Sequence, residues 1–207
     1  MTGSSRWLLA LHSSTAELGV GLRCLDGSLP DRVATFALGR ALSNQLLRCV
    51  EEVLPAEDWP ALDRLAVATG PGGFTGTRLT VVLARTLAQQ LRLPLDGVSS
   101  FLLAARRLAL PGPTWLVHEL PRRGLVAGLY APAADGAGMV EHRQPRLYAD
   151  SAALAALDPA PQHPAAVAVA EDVGELLALA HQAHRAGRVS PWQSVLPAYP
   201  TSPVGAS

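Results

Sequence analysis

Apolar positions in this chain come in short runs whose period switches along the sequence between continuous, alternating and helical. Trp7–Leu11 is a continuous apolar run of strand length, and Leu18–Cys24 is a second. Ser13, Ser14, Thr15 and Glu17 supply the polar turn between them. Asp26-Gly27 is a hairpin signal. It leads to Asp31–Leu38, where Val33, Thr35 and Ala37 alternate on one face of a third strand. The period then lengthens. Leu42, Leu46, Cys49, Val50 and Val53 follow helical spacing over Ala41–Leu54, and Pro55 stops that helix. Arg64–Thr69 reads as a central parallel strand. A glycine-rich turn follows, then a helix over about Gly76–Arg92, a strand at Leu95–Val98 and a helix at Ser99–Leu108 that Ser99 or Ser100 would cap.

Pro111-Gly112-Pro113 marks an expected domain boundary. Beyond it, strands are predicted at Thr114–His118, Leu125–Tyr130 and Met139–Leu147, a helix at Ser151–Leu157, a strand at Ala165–Ala170 and a helix at Val173–His184. The proline-rich stretch from Ser190 is expected to be extended or poorly ordered. The expected division is residues 1–110, a smaller α/β domain at 111–189 and a tail at 190–207. Both halves follow β-β-β-α-β-α order. Three antiparallel strands followed by α/β crossovers is, by analogy, the ribonuclease-H-like arrangement of the actin-like ATPase superfamily. The expected fold class is therefore α/β, two such units, the second reduced.

Composition narrows the chemistry. Of the 207 residues 49% are apolar and 16% charged, which suits packed domains and not a disordered chain. The formal net charge is zero, so no global field draws the chain to nucleic acid or to a membrane. All 17 basic residues are arginine. Without lysine there is no Walker-type phosphate lysine, no Schiff-base nucleophile and no kinase lysine. Cys24 and Cys49 form neither a CxxC nor a metal spacing, as expected of buried thiols in a reducing cytoplasm. No stretch has membrane-span length and Trp7–Leu11 is too short for a signal-peptide core, so the expected location is cytoplasmic.

Gly70-Pro71-Gly72-Gly73-Phe74-Thr75-Gly76 joins a strand to a helix. Its four glycines permit close backbone approach, Thr75 or Thr77 would cap the helix, and free N–H groups there would suit an anion. A purely structural turn fits the same residues. The helix that follows is apolar over more than half its circumference. Leu79, Val82, Leu83, Leu87 and Leu91 form one stripe, and Thr77, Thr80, Val81, Ala84 and Ala88 a second stripe of small residues. Arg78, Arg85, Gln89 and Arg92 form the remaining polar strip. The small stripe suits close approach by another helix, either that over Ala41–Leu54 or one from a partner.

The segments LALHSSTAELGVGL, LSNQLLRCVEEVL and LAVATGPGGFTGTRLTVVLARTLAQQLRLPLDGVSS resemble the TsaB family, and the resemblance covers about the first 100 residues. What it implies is a helper subunit without catalytic or metal-binding residues of its own, a relative of the catalytic subunit TsaD. Such proteins pair with TsaD through the two helices that are here Ala41–Leu54 and Gly76–Arg92. With TsaE, the assembly places threonylcarbamoyl on the adenosine beside the anticodon of tRNAs reading ANN codons. TsaC makes the activated precursor. The implied interface is Leu42, Leu46, Val50, Thr77, Thr80, Val81, Ala84 and Ala88, with tRNA met only indirectly and a homodimer expected over the same surface when the chain is alone. No cofactor is expected, with ATP or ADP at the interface with TsaD left open. The alternative is a small actin-like ATPase or kinase, or a nucleotide-sensing module, using the Gly70–Gly76 loop.

Three departures from the family stand out. His12 occupies a position where the resemblance implies Asp, and a neutral imidazole is a poor magnesium ligand. Glu119-Leu120-Pro121-Arg122-Arg123 replaces an Asp-Ala-Arg segment, and Pro197-Ala198-Tyr199 is the one echo of the family's C-terminal end. Other candidates for chemistry are thin. His181 and His184 make at most half a metal site, Glu51 and Glu52 diverge around their helix, and Ser43, Asn44 and Gln45 stand where TsaD-type proteins carry an HxxxH pair.

Overall fold

The structure, a computed structural model, describes residues 6–136 and 138–200. Its first sheet has the order β3-β2-β1-β4-β5, formed by β1 (Trp7–His12), β2 (Glu17–Cys24), β3 (Arg32–Ala37), β4 (Leu62–Ala68) and β5 (Leu95–Val98). The first three strands are antiparallel, with Leu9 opposite Leu22 and Val20 opposite Ala34. β4 runs parallel to β1, and β5 parallel to β4. Two helices, α1 (Leu42–Val53) and α2 (Phe74–Leu91), share one face. Strand alternation sends Leu9, Leu11, Leu18, Val20, Leu22, Leu65 and Val67 into the core beneath them.

The opposite face is covered by α5 (Val169–Arg185). Gly19 and Gly21 point at it, and a Cβ on Gly21 would lie 2.4 Å from a Val173 methyl. Removing two side chains from β2 lets the helix backbone come close, and Val173, Leu176, Leu177 and Ala180 are fully buried there. This corrects the expected domain division. Among the described residues, one compact unit joins residues 6–100 to Ala168–Pro197, and the other joins Phe101–Val167 to residues 198–200. The helix assigned from sequence to the second domain thus belongs to the first, where β2 has no bulk of its own on that face.

The second unit repeats the topology with fewer strands. β6 (Thr114–Leu120), β7 (Gly124–Pro132), β8 (Met139–Tyr148) and β9 (Gln162–Pro164) have the order β8-β7-β6-β9. β9 is parallel to β6, as β4 is to β1. α3 (Ser100–Leu108) contributes Phe101, Ala104 and Ala105 to a core with Leu116, Val126 and Tyr130. Leu154 of α4 (Ser151–Leu157) packs with Trp115, Leu125, Ala127 and Leu129 on the other face. The strand expected at Ala165–Ala170 is displaced to Gln162–Pro164. Asp172 reaches back from the first turns of α5 to accept the Ala168 N–H at 2.9 Å, which starts the helix at Val169 despite the alternating Val-Ala pattern.

Of the two states expected for the tail, residues 190–200 are largely extended and are pinned to the first sheet. Leu95 of the edge strand β5 donates its N–H to the Ser190 carbonyl at 2.9 Å, and Val195 is buried against Gly97. Residues 201–207 of the expected tail lie outside the described residues. Arg64 sits beneath this strap with its side chain 3% exposed. It holds both Asp96 oxygens, at 2.6 and 2.9 Å, and donates to Ser190 Oγ and the Arg188 carbonyl. A buried guanidinium with a bidentate carboxylate and two further acceptors is a fully partnered ion pair. Among the described residues no helix is long and apolar enough to cross a membrane.

Candidate functional site

The glycine loop and the turn after β1 form a seam in which two backbones touch. Gly70 adopts φ +92°, and its carbonyl accepts the Ser100 N–H at 2.8 Å. Gly73 donates its N–H to the Ser14 carbonyl at 2.7 Å. A Cβ on Gly72 would stand 2.4 Å from both the Cβ and the carbonyl oxygen of Ser14, and one on Gly76 would stand 2.7 Å from Ser13 Oγ. Those two glycines are therefore required by the chain's own β1–β2 turn, and the Gly73 N–H is already bonded. Pro71 is buried beside them, whereas Phe74 and Thr75 are exposed. The expected threonine cap is not present. Gly73 is the N-cap of α2 without a side-chain bond, and Thr77 lies inside the helix donating to the Ser13 carbonyl at 3.4 Å.

His12 closes β1 beneath this seam, fully buried. Its Nδ1 accepts the Ser14 N–H at 3.3 Å, so the proton of the neutral ring resides on Nε2, facing Asp172 Oδ2 at 3.8 Å. That separation exceeds a hydrogen bond. Burial dominates and pulls the imidazole pKa down to about 4, so the ring is neutral at pH 7. Ser14 Oγ meets Ser100 Oγ at 2.5 Å, tying the same turn to the start of α3. His12 Nε2 and Ser13 Oγ, by contrast, are buried without a hydrogen-bond partner. Among the described residues no cluster of three His, Cys, Asp or Glu side chains has metal-binding geometry. His181 and His184 lie on α5, where partial burial and Arg23 hold the His181 pKa below its ordinary value. Cys24 and Cys49 are buried free thiols.

The eight side chains expected at a partner interface are all internal. Leu42, Leu46, Val50, Thr77, Thr80, Val81, Ala84 and Ala88 are 0–7% exposed in the isolated chain. The reason is geometric: α1 lies over β2 and β3, α2 lies over β4 and β1, and the small stripe of α2 is what lets it lie close to the sheet. These residues therefore set the spacing of the pair and do not form its outer surface. The outward face carries Leu47 of α1, 47% exposed, with Phe74 and Val82 of α2, 46% and 58% exposed. Arg78 lies over the Phe74 ring and Arg85 over the Trp192 ring. Sequence periodicity placed Val82 in a stripe with Leu79, Leu83, Leu87 and Leu91, but those four pack into or against the core and Val82 is the member left exposed.

Known proteins match both the sequence and the fold. The family of TsaD, tRNA N6-adenosine threonylcarbamoyltransferase, matches residues 36–118. The tRNA threonylcarbamoyladenosine biosynthesis protein TsaB of Bacillus subtilis (strain 168) is 32% identical over 59% of this chain and 54% of its own. The matched region thus spans about half the length of that curated relative. YeaZ from Pseudomonas aeruginosa has the same fold, with a TM-score of 0.71 and 21% identity over 94% of this chain and 99% of that one. An uncharacterised protein with similarity to peptidase YeaZ, from the same species, gives a TM-score of 0.72 at 22% identity over 95% and 100% of the two chains. The class is a two-unit, actin-like α/β protein of the ribonuclease-H-like kind. Within that class, this chain is similar to TsaB over the matched region.

Proposed function

We propose that this chain is a non-catalytic subunit of the machinery that makes threonylcarbamoyladenosine in tRNA, and that it works by binding TsaD through the outer face of α1 and α2. The similarity to TsaB and to the TsaD family model supports the process. The observation that carries the role is the exposed apolar set Leu47, Phe74 and Val82, carried on two helices whose inner sides are locked into the first core. Large exposed apolar side chains on a rigid helix pair are what a docking surface requires. The glycines of the loop are taken up by packing against the chain's own β1–β2 turn, which supports a scaffold in preference to a catalyst. TsaE joins the larger assembly on this reading, and tRNA is met through TsaD.

The test is co-purification with TsaD of the same organism, comparing wild type with Val82→Asp and Leu47→Asp. Each variant places a carboxylate in an apolar contact, and a loss of at least about tenfold in affinity is expected. Both positions are exposed in the isolated chain, so the variants should melt like wild type. Ala84→Arg is unsuitable, because Ala84 is buried and the arginine would disrupt the fold. Absence of a complex, together with ATP turnover by the lone chain, would replace this reading with the ATPase alternative.

A further inference from the structure

We propose that the α1–α2 face selects a partner whose docking surface carries an acidic border, read by Arg78 and Arg85 of α2 and by Arg92 at its C-cap. This rests on the TsaD-binding reading and adds the chemistry of the partner's surface. Arg78, Arg85 and Arg92 recur at seven-residue intervals. Seven residues fall about 20° short of two helical turns, so Arg78 and Arg85 leave the helix within an arc of about 20° and about 10 Å apart along the axis, and Arg92 follows as the C-cap in the left-handed conformation, φ +56°. No residue of α2 is acidic. The other arginines that anchor the first unit are paired, Arg6 with Asp63, Arg23 with Asp31 and Arg64 with Asp96. Among the described residues Arg78, Arg85 and Arg92 have neither an ion pair nor a hydrogen bond to a side chain.

Two of the three are held by other means. The Arg78 guanidinium lies 5.4 Å from the centroid of the Phe74 ring, and that of Arg85 5.5 Å from the centroid of the Trp192 ring. Cation–π contact restrains these long side chains while leaving their N–H groups unused, which lowers the ordering cost of a later bidentate bond to a carboxylate. Beside the row on α2 stands Val82, with the exposed Leu47 on neighbouring α1. An apolar patch edged by unpaired cations fits a protein surface with an apolar centre and an acidic rim.

A second copy of this chain fits less well. The exposed or half-exposed charged residues of the face are Arg40, Arg48, Arg78, Arg85 and Arg92 against Glu51 and Glu52, so two copies would bring together surfaces of the same sign. RNA would meet the arginines, but the rings of Phe74 and Trp192, which a single strand would need as stacking platforms, are already faced by guanidinium groups.

The experiment measures the affinity of the full chain for TsaD between 50 and 500 mM salt, for wild type and for the triple variant Arg78→Glu/Arg85→Glu/Arg92→Glu, with tRNA alone as a second ligand. A wild-type affinity that falls at least tenfold across the salt range, and a loss of at least a hundredfold on charge reversal at low salt, are expected. The wild-type salt series stands by itself should the triple variant fail to fold. Wild-type binding that is indifferent to salt, or a folded triple variant that binds as wild type does, overturns the acidic border and leaves the TsaD reading intact. Loss of tRNA affinity with TsaD affinity preserved assigns the row to RNA and overturns it too. No wild-type complex at any salt concentration removes the partner reading, and this proposal with it.

Discussion

Gly72→Ala tests whether the glycine loop exists for packing. The added Cβ would lie 2.4 Å from the Ser14 carbonyl oxygen, 2.4 Å from its Cβ and 2.8 Å from its Cα. Ordinary contact for such atoms is about 3.5 Å, so the turn after β1 or the loop after β4 must move by about 1 Å. Neither has a flexible side chain to yield, because the obstructing atoms are backbone or attached directly to it. Overpacking of this kind costs about 1–3 kcal/mol, and displacement weakens the 2.7 Å bond from Gly73 N–H to Ser14, worth about 1 kcal/mol. The expected loss is roughly 2–4 kcal/mol, or about 5–15 °C in melting temperature for a chain of this size. Thermal unfolding followed by circular dichroism reads it directly. Two internal controls share the substitution without the contact. Gly112→Ala and Gly174→Ala meet nothing within 4 Å. The first is expected to be neutral, and the second, inside α5, to gain about 0.5–1 kcal/mol. A Gly72→Ala protein that melts with these controls would refute a packing role for the loop and return weight to a ligand role.

Three further outcomes follow from the same first unit. The buried His12 resists protonation down to about pH 4, while in the unfolded chain it takes up its proton near 6.5. Its contribution to stability is therefore complete above pH 6.5 and is lost as pH falls toward 4. The loss is about 2–3 kcal/mol by pH 4.5, visible in urea midpoints and much reduced in His12→Asn. Asp96→Asn leaves the buried Arg64 without its carboxylate and is expected to cost about 3–5 kcal/mol. Hydrogen exchange should then quicken at the Leu95 amide that bonds Ser190, and unchanged protection there would show that the strap is held by other contacts. Val195→Ala removes two buried methyl groups from the cluster above Gly97 and should cost about 1–2 kcal/mol in chemical denaturation.

What the sequence determined by itself was local and periodic. Among the described residues, continuous and alternating apolar runs located eight of the nine strands to within a few residues, helical spacing located all five helices, and the spacing of the glycine loop to β1, with the three quoted segments, carried the resemblance to TsaB proteins. The tertiary structure decided what periodicity cannot express, which is the neighbour each face acquires. Val82 and Val81 are adjacent apolar residues on one helix, yet one is 58% exposed and the other fully buried, because only the latter points at the sheet. The small stripe of α2 read as a surface for another helix, that over Ala41–Leu54 or a partner's, and packing buried it inside the chain's own first unit. α5 lies some 150 residues from β2 in sequence, so the vacancy made by Gly19 and Gly21 had no local sign of what fills it. Val195 and Ser190 sit in a proline-rich stretch with no period, and they are ordered by Gly97, Arg64 and Asp96, contacts that only the folded chain brings together.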